Sequence, residues 1–370
     1  MVEKTRPIGI DLFCGVGGMS LGFEQAGFDV VAAFDFEPRN VETHKKNFPH
    51  CKTVQSDISN LSGKQLRIDA AIGDRELDVL FGGPPCQGFS LIGKRRLDDS
   101  RNLLLYDFAR LVREVKPKYF VMENVAGLMA GAAAKVLKSF IRRVKLAGYN
   151  VVEPVRVLCA SDYGVPQKRK RVFILGVRKG LPLPSYPDPS DYASEKPTVW
   201  DAIGDIPNVD GIKYFLDANI LIQQLGKSSS YASSLRDDTP PWQNDTDGPD
   251  GGLTGCMRTA HTATTVKRFA ATLPGTHEPV SRFHRLKKDG LANTLRAGTG
   301  PEHGSHTAAR PIHPVYHRCI TTREAARLHS YPDWFVFHPT KWHGFRQVGN
   351  SVPPRMAQCI ASTIIEALTF

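Results

Sequence analysis

A single cysteine follows a rigid turn within Asp78–Ser90, and this stretch is the strongest candidate for nucleophilic chemistry in the sequence. Val79–Phe81 is an apolar run that predicts a buried strand. Gly82–Pro85 then ends the strand and presents Cys86 just past the turn. Reacting groups of α/β proteins sit at the carboxyl ends of strands, and exposed backbone N–H groups there lower the pKa of a thiol. Because a lone cysteine is commonly a small buried apolar residue, Cys86 alone leaves both interpretations open.

Two other segments carry side chains that could act with this thiol. Glu123-Asn124 ends an apolar run that predicts a strand, so a carboxyl and a thiol are expected at neighbouring strand ends. In Gln167–Arg171 the alternation of a strand places Gln167, Arg169 and Arg171 on one face. Such a face could hold a carboxylate, a carbonyl oxygen or a phosphate, although a solvated basic run explains it equally well.

A glycine-rich turn near the N-terminus predicts a ligand site of a second kind. Asp11–Gly22 has glycines at 15, 17, 18 and 22, which let the backbone approach a ligand closely. The spacing does not fit the Gly-x-Gly-x-x-Gly pattern of dinucleotide sites. Asp35 and Asp57 end the next two predicted strands and could bind a ribose and an adenine amino group. Together they indicate an adenosine-containing ligand that need not have a pyrophosphate, whereas each acid taken alone is more often a solvated loop residue or helix cap.

The elements that position these residues alternate between strand and helix over about the first 180 residues. This alternation predicts an α/β fold with a doubly wound, mostly parallel sheet. The predicted strands lie at 8–12, 30–34, 53–54, 78–81, 119–122, 151–158 and 172–177. The predicted helices lie at 19–26, 38–48, 103–115 and 132–147.

The character of the chain changes after Gly180. Leu181–Ser190 is proline-rich and is interpreted as a linker, and the chain to about Pro314 is rich in Gly, Pro, Ser, Thr, His and Asp. This composition predicts a smaller, irregular second lobe. Helical patterning returns at Thr321, and Pro354 opens a last helix to about Leu368.

Composition limits the class of protein. The 370 residues carry a formal net charge of +11 and a pI of about 9.3, so a polyanion such as nucleic acid is a plausible partner, with a merely basic surface as the alternative. The seven cysteines are scattered and never spaced as Cys-x-x-Cys, which argues against a disulfide framework and a zinc cluster. Neither a signal peptide nor a membrane span is recognisable, and we expect a cytoplasmic protein.

Six motifs in order resemble the bacterial-type DNA (cytosine-5)-methyltransferases. They are Asp-Leu-Phe-Cys-Gly-Val-Gly-Gly (11–18), Gly-Pro-Pro-Cys-Gln-Gly-Phe-Ser (83–90), Glu-Asn-Val (123–125), Gln-Lys-Arg-Lys-Arg (167–171), Arg-Glu-Ala-Ala-Arg-Leu (323–328) and Gln-Val-Gly-Asn-Ser-Val (347–352). The resemblance covers nearly the whole chain and is weakest in the middle lobe.

The resemblance implies S-adenosyl-L-methionine as the methyl donor, S-adenosyl-L-homocysteine as its product, and no metal. Asp35 would lie near the ribose and Asp57 with Ile58 near the adenine, while the C-terminal residues return to complete the site. The last helix would therefore pack on the first lobe. The implied cofactor-binding residues are Phe13, Gly15, Gly17, Asp35, Asp57, Ile58, Pro85, Leu104, Asn350, Ser351 and Val352.

The resemblance also implies the reaction. The Cys86 thiolate would add to C6 of a cytosine that has been flipped out of double-stranded DNA, making C5 nucleophilic toward the methyl group. Glu123 would bind N3 and the exocyclic amine of the base. Arg169 and Arg171 would hold the cytosine O2 and the Glu123–Cys86 geometry.

The resemblance divides the chain into three segments. Residues 1–182 and 318–370 would form the catalytic domain, and 183–317 the target recognition domain, whose Thr294-Leu295-Arg-Ala297 resembles the family's Thr-Leu motif. Residues 92–102 resemble the mobile loop that closes over DNA. The implied DNA-binding residues are Gln87, Ser90, Lys94, Arg95, Arg96, Arg101, Arg258, Arg282, Arg285, Thr294, Leu295 and Arg296.

Two departures from the family pattern are small. Cys14 stands where alanine is frequent, and Asp35 where glutamate is frequent, which shortens the reach to the ribose. A tRNA cytosine-5 methyltransferase is a related alternative, but its Cys-Phe-Thr motif is missing from the sequence. A non-catalytic DNA-binding protein would lack Cys86 or Glu123, and a nicotinamide dehydrogenase would need another glycine spacing.

The resemblance gives a cellular setting as well. We expect a monomer in the bacterial cytoplasm, associated with the nucleoid through DNA. It is expected to serve a restriction-modification system, with a cognate restriction endonuclease acting separately, or to be a solitary or phage methyltransferase.

Overall fold

The computed structural model describes residues 6–85, 103–192, 196–210, 220–221, 224–240, 253–298 and 310–369. Contacts divide the chain into two compact units: the first comprises Met1–Cys159, Lys170–Tyr192 and Pro354–Phe370, and the second Ala160–Arg169 and Ala193–Pro353. Residues 160–169 and 318–353 thus group with the second unit. The functional boundaries at 182/183 and 317/318 concern a different property and stay a prediction.

The first unit is built on one mixed sheet. Its strands, as far as the structure describes them, are β1 (Ile8–Leu12), β2 (Asp29–Asp35), β3 (Lys52–Gln55), β4 (Val79–Gly82), β5 (Tyr119–Val125), β6 (Tyr149–Val151), β7 (Arg156–Cys159) and, after β8 (Gln167–Lys168) of the second unit, β9 (Lys170–Arg178). Their order is β3-β2-β1-β4-β5-β9-β6, and β7 also pairs with β9. The run from β3 to β5 is parallel, whereas β9 is antiparallel to β5, β6 and β7. This topology confirms the predicted doubly wound, mostly parallel sheet.

Helices cover the sheet or build the second unit. Those described are α1 (Gly18–Ala26), α2 (Pro38–Asn47), α3 (Gly63–Asp69), α4 (Leu103–Val115), α5 (Ala133–Leu146), α6 (Val199–Ile203), α7 (Ser230–Arg236), α8 (Ala263–Ala271), α9 (Thr322–Arg327), α10 (Lys341–Asn350) and α11 (Pro354–Thr369). None of these described helices is long and apolar enough to cross a membrane.

The core of the first unit follows the alternation of its strands. Ile8, Ile10 and Leu12 of β1 point to one face and join a buried cluster with Leu105 and Phe108 of α4. Phe81 of β4 faces the opposite side, where its ring stacks on Phe23 of α1 at a centroid distance of 3.8 Å. Both faces of the parallel strands are therefore buried, as parallel sheets require.

The last helix returns to the first unit and packs on α1. A Cβ atom on Gly22 would lie 2.5 Å from both the Ala357 Cβ and the Pro354 carbonyl oxygen, so glycine is needed for this close approach. The Tyr119 hydroxyl donates to the carbonyl oxygens of Ala367 at 3.1 Å and Pro182 at 3.0 Å. The expectation that the C-terminal helix packs back on the first lobe is confirmed.

One prediction about local structure is wrong, and one helix was missed. Residues 151–158 are not one strand, because β6 ends at Val151 and β7 begins at Arg156, with Pro154, which has no N–H to donate, between them. Helix α3 was not predicted at all. Leu66 is its one large buried apolar side chain, so its sequence lacks a recognisable apolar stripe.

The second unit has short elements and buried charge. Its strands, within the described residues, are β8, β10 (Ile220–Leu221), β11 (Leu253–Thr254) and β12 (Ala292–Asn293), each two residues long. Arg323 and Arg327 of α9 are fully buried, and Thr321 caps this helix in a capping box with Glu324. The predicted irregular second lobe and the predicted cap at Thr321 agree with these elements.

Candidate functional site

The turn that leads to Cys86 is held against the end of β5. A Cβ atom on Gly83 would lie 2.9 Å from Glu123 Oε2, so the backbone passes close to this carboxylate. Asn124 Nδ2 donates to the Pro84 carbonyl oxygen at 3.0 Å, and its Oδ1 accepts from Val125 N at 2.8 Å. Asn124, part of the Glu-Asn-Val motif but not predicted as a site residue, thus fixes the chain's path toward Cys86. Cys86 itself lies outside the described residues.

Glu123 forms an ion pair with Arg171 across two strands. The register of β5 and β9 places Arg171 opposite Val125, diagonal to Glu123, and Arg171 Nε lies 2.8 Å from Glu123 Oε1. Both side chains are largely buried. Burial lowers the pKa of Arg171 and the neighbouring carboxylate raises it, the first effect being larger. Because the pKa of arginine starts far above neutrality, the guanidinium stays charged and orients the carboxylate.

Asp35 ties the glycine-rich turn to the end of β2. Its Oδ2 accepts from Gly15 N at 2.8 Å, and its Oδ1 accepts from Glu37 N at 2.9 Å and from Asn40 Nδ2 at 3.2 Å. Burial raises the pKa of Asp35, and these hydrogen bonds partly offset that effect. The shorter aspartate therefore already serves as the acceptor that shapes the turn.

The turn itself adopts an unusual backbone. Phe13 has φ 61, in the left-handed region that non-glycine residues rarely occupy, and its side chain is half-buried. Gly17 (φ 97) is the N-cap residue of α1, whose first turn carries no acidic residue. Such strain concentrates at ligand sites, and a helix start without a side-chain cap suits a polar ligand. The residues present therefore fit an adenosine-type donor.

A series of buried, hydrogen-bonded polar side chains lies next to this turn. Ser20 Oγ donates to Asp11 Oδ2 at 2.6 Å and lies 3.0 Å from His44 Nε2, while His44 Nδ1 lies 2.7 Å from Thr53 Oγ1. Burial raises the pKa of Asp11 to about 8, and burial lowers the pKa of His44 to about 3. At neutral pH Asp11 and His44 are therefore mostly uncharged, as their complete burial requires.

The remaining predicted cofactor residues of the first unit occupy the same edge of the sheet or flank it. Asp57 is exposed, and its carboxylate accepts from Ser59 N at 3.0 Å and Asn60 Nδ2 at 3.1 Å. Ile58 is buried, while Pro85 and Leu104 are half-buried. The loop acceptor role of Asp57 was the alternative interpretation, and it does not exclude a contact with an adenine.

Gln167 and Arg169 bind backbone within the second unit. The buried Arg169 guanidinium donates to the carbonyl oxygens of Leu295 at 3.1 Å, Gly349 at 3.0 Å and Ser351 at 2.8 Å. Gln167 Oε1 accepts from Leu295 N at 3.1 Å. Through these contacts Arg169 and Gln167 position the Thr-Leu and Asn-Ser-Val motifs. The expectation that Arg169 holds the cytosine O2 stays a prediction.

The predicted cofactor residues Asn350, Ser351 and Val352 lie at the C-terminal end of α10. Asn350 ends α10 and is exposed, Ser351 Oγ donates to the Val348 carbonyl oxygen at 2.9 Å, and Val352 is buried. They belong to the second unit, and their part in the cofactor site stays a prediction.

The predicted DNA-binding residues differ widely in exposure. Arg282 and Arg296 are exposed, and half-exposed Arg258 lies 3.7 Å from Asp210. Thr294 Oγ1 donates to the Lys168 carbonyl oxygen at 2.6 Å, and the Leu295 side chain is buried. Gln87, Ser90, Lys94, Arg95, Arg96 and Arg101 lie outside the described residues.

Arg285, which was also predicted to bind DNA, donates hydrogen bonds to the protein backbone. Its side chain is buried, and its guanidinium donates to the carbonyl oxygens of Phe269 at 3.0 Å, Thr272 at 2.8 Å and three other residues. It thereby satisfies the open carbonyls at the end of α8. Arg285 therefore serves the protein backbone, and its predicted DNA contact stays a prediction.

One group of possible metal ligands occurs among the described residues. Glu24, Asp29 and His50 each offer an atom within 4.8 Å of the others. Glu24 already pairs with Arg6 at 2.7 Å and accepts from Val30 N at 2.8 Å. Its oxygens therefore serve the fold, and the group is not a candidate metal centre.

Known proteins resemble this chain over nearly its full length. The C-5 cytosine-specific DNA methylase family model matches residues 9–366. The Type II methyltransferase M.XorII of Xanthomonas oryzae pv. oryzae is 53% identical over 367 residues, which are 98% of this chain and 86% of that relative. M.AgeI of Thalassovita gelatinovora is 32% identical, over 97% of this chain and 99% of that relative.

Solved structures agree with the family. A structure described as a DNA modification methyltransferase encoded within an Escherichia coli prophage superposes with a TM-score of 0.83 at 35% identity, covering 98% of this chain and 100% of that one. The S. pombe Dnmt2 methyltransferase, at a TM-score of 0.60 and 18% identity, shares the fold alone. The family and these neighbours imply methylation that depends on S-adenosyl-L-methionine. With its strand-end carboxylate, glycine-rich turn and full-length family match, the chain belongs to the C-5 cytosine-specific DNA methylases and methylates carbon 5 of cytosine in DNA.

Proposed function

We propose that Cys86 is the nucleophile of this methylase and that Glu123 and Arg171 form the group that activates the cytosine. The observation that carries the proposal is the Glu123–Arg171 ion pair beside the Gly83–Pro85 turn, one residue before Cys86. A thiolate and an oriented carboxylate then approach one pyrimidine ring from neighbouring strand ends.

Each step of the proposed reaction has a residue that supports it. The Cys86 sulfur bonds to C6, and the electron pair of the C5–C6 double bond shifts toward C5, which becomes nucleophilic. Glu123 accepts from the exocyclic amine and shares a proton with N3, which stabilises the negative charge that develops on the ring. Arg171 fixes the carboxylate in its productive orientation. After methyl transfer the C5 proton passes to solvent water, the C5–H electron pair re-forms the C5–C6 double bond, and Cys86 departs with the C6–S electron pair as thiolate.

Asp35, Gly15 and the start of α1 are proposed to hold the donor. S-adenosyl-L-methionine supplies an electrophilic methyl group and leaves as S-adenosyl-L-homocysteine. The Asp35 carboxylate would face the ribose hydroxyls while it keeps the Gly15 turn in place. Phe13, Asp57, Ile58, Pro85, Leu104 and the Asn350–Val352 segment complete the proposed set.

We further propose that the enzyme is the modification component of a restriction-modification system. Its relatives are named Type II methyltransferases, and the loop-rich second unit supplies the proposed recognition surface. The irregular loops of that unit then read a fixed sequence, and methylation of that sequence protects it from a separate endonuclease.

One experiment tests the nucleophile and the site together. Bisulfite sequencing of DNA from cells that express the wild-type chain should show methylated cytosines in one fixed sequence context. Cys86→Ser should abolish that methylation, a loss of at least about a thousandfold because no thiolate adds to C6, while duplex binding persists.

Cys359→Ser is the matched control. Burial raises the pKa of Cys359 to about 12, so this thiol is protonated and its replacement should leave the methylation pattern intact. Normal methylation by Cys86→Ser would overturn the assigned nucleophile. Methylation without a fixed context would overturn the restriction-modification role.

A further inference from the structure

A cluster of three cations lies on the second unit. Lys341 Nζ donates to the Arg258 carbonyl oxygen at 3.1 Å, and Arg310 donates to Thr259 Oγ1 at 2.7 Å. Because Arg258 and Thr259 are consecutive, the two contacts bring Lys341 and Arg310 to the same loop. We call Arg258, Arg310 and Lys341 the basic cluster.

Counted over the described residues, the charges around the basic cluster do not balance. Asp210 lies 3.7 Å from Arg258 Nε, and it lies equally far from Arg318 Nε. Arg318 is itself neutralised by Glu324, to which it donates two hydrogen bonds of 2.7 and 2.8 Å. Among the described residues a single carboxylate, Asp210, therefore offsets the three cations of the cluster.

The hydrogen-bonding capacity of the cluster is also only partly used. The Arg310 guanidinium packs over the Phe345 ring at 5.5 Å, and its buried Nε has no acceptor among the residues that the structure describes. Lys341 is the first residue of α10, where the positive end of the helix disfavours a cation. The hydroxyl of Thr340, the N-cap residue, lies 3.0 Å from His338 Nδ1 and does not cap the helix.

The pKa values respond to this excess. Burial lowers the pKa of Lys341, and the charges of Arg310 and Arg258 lower it further. The pKa of His261 is lowered by burial and by the same cations, and its Nε2 accepts from Cys319 N at 3.3 Å as a neutral ring does. The cluster thus repels additional positive charge and is complementary to an anion.

We propose that the basic cluster binds one phosphodiester group of the DNA duplex and thereby positions the second unit on its substrate. This inference rests on DNA being the substrate. A phosphodiester carries one delocalised negative charge on two oxygens, which suits a guanidinium fork, an ammonium group and a helix N-terminus together. Contacts to phosphate carry no sequence information, so the cluster contributes affinity and register rather than base discrimination. Arg310 and Lys341 were not predicted as DNA-binding residues.

The test compares two lysine variants of the full chain that lose the same charge. Lys341→Gln removes a member of the cluster, whereas Lys227→Gln removes an exposed lysine of the same unit. Affinity for a duplex with the methylated sequence and for an unrelated duplex is measured by fluorescence anisotropy over a range of salt. Lys341→Gln should bind both duplexes about fivefold more weakly at 0.15 M salt, and the slope of log K against log salt should fall by about 0.9. Lys227→Gln should match the wild type.

Thermal stability separates binding from folding. Because Lys341→Gln relieves repulsion, its melting temperature should equal or exceed that of the wild type, and inorganic phosphate should stabilise it less. Arg310→Gln should reproduce the DNA result. Unchanged affinity and slope in both variants, or a weaker affinity that accompanies a lower melting temperature in both, would overturn the phosphate site. The proposed nucleophile is tested separately by Cys86→Ser, whose outcome does not depend on these lysines.

Discussion

Glu123 and Arg171 are held by a regular sheet, whereas Gln167 and Arg169, which precede Arg171 by only four and two residues, are held by hydrogen bonds to distant loops. In the first unit the β5–β9 register alone sets the Glu123–Arg171 pair. In the second unit Arg169 reaches carbonyl oxygens of residues 295, 349 and 351. The geometry of the Glu123–Arg171 pair is therefore set by the sheet. The positions of the loops at residues 295, 349 and 351 depend instead on one buried cation, Arg169.

Buried charge is treated differently in the two units. In the first unit the fully buried Asp11 has its pKa raised by burial to about 8 and has a hydroxyl as its partner. In the second unit Arg327 and Glu324 remain charged in the interior and are paired with opposite charges. The first unit therefore keeps the innermost of its buried carboxyls uncharged at neutral pH, while the second unit holds fully buried charges in ion pairs.

Arg327→Met should lower the unfolding free energy of the second unit more than any other substitution considered below. Arg327 donates to Asp333 at 2.8 and 2.6 Å and also pairs with the buried Asp205. Removal of the cation leaves buried carboxylates uncompensated, which costs about 3–5 kcal/mol of unfolding free energy. All four tryptophans (200, 242, 334 and 342) lie between residues 193 and 353, so urea unfolding followed by tryptophan fluorescence reports on this unit.

Lys196→Met provides the matched control for that measurement. Lys196 Nζ lies 3.7 Å from Asp162 Oδ1 at the surface of the second unit, and both side chains are about half exposed. An exposed pair contributes about 0–1 kcal/mol, so the urea midpoint should hardly change. Equal losses from the two variants would refute the idea that buried ion pairs carry the second unit.

The acid stability of the second unit should depend on Glu324. Burial raises the pKa of this carboxyl, but the Arg318 charge and hydrogen bonds outweigh burial and lower it from the usual 4.5 to about 2. Its stabilising contribution is therefore complete above pH 4.5 and is lost as the pH falls toward 2. The difference corresponds to about 3 kcal/mol. Tryptophan-detected unfolding of wild type and Glu324→Gln between pH 6 and 2.5 should converge as the pH falls, and parallel pH profiles would contradict the depressed pKa.

The sequence predicts the first unit well because its signals are local. The apolar run of β1, the glycine that ends α1 and the amphipathic pattern of α4 each lie within a short window, and the observed elements match them closely. Where the window is uninformative, as in α3, the element is missed. The diagonal Glu123–Arg171 pair needs the strand order as well, which the sequence indicates only through the fold class.

The second unit could not be predicted to the same depth because its contacts are long-range. Arg285 and Arg258 are both arginines in a loop-rich segment, yet one is buried against five carbonyl oxygens and the other is partly exposed. The sequence around them does not separate the two environments. The partners of Arg169 are 126 to 182 residues away, so its positioning role became visible only in the structure.

Gly22→Ala should cause the smallest loss of stability, and it tests the packing of the first unit. The added methyl group would lie 2.5 Å from Pro354 O and the Ala357 Cβ, so α1 and α11 must separate. Overpacking of this kind costs about 1–3 kcal/mol. Gly226→Ala is the control in the second unit, where the nearest atom would be Asp205 O at 3.3 Å and a shift of a few tenths of an ångström suffices. Hydrogen exchange should show faster exchange in α1 and α11 of Gly22→Ala, with the tryptophan-detected transition little altered. If that transition instead shifts as much as the exchange of α11, the return helix stabilises both units and the contrast between them is smaller than their separate contacts indicate.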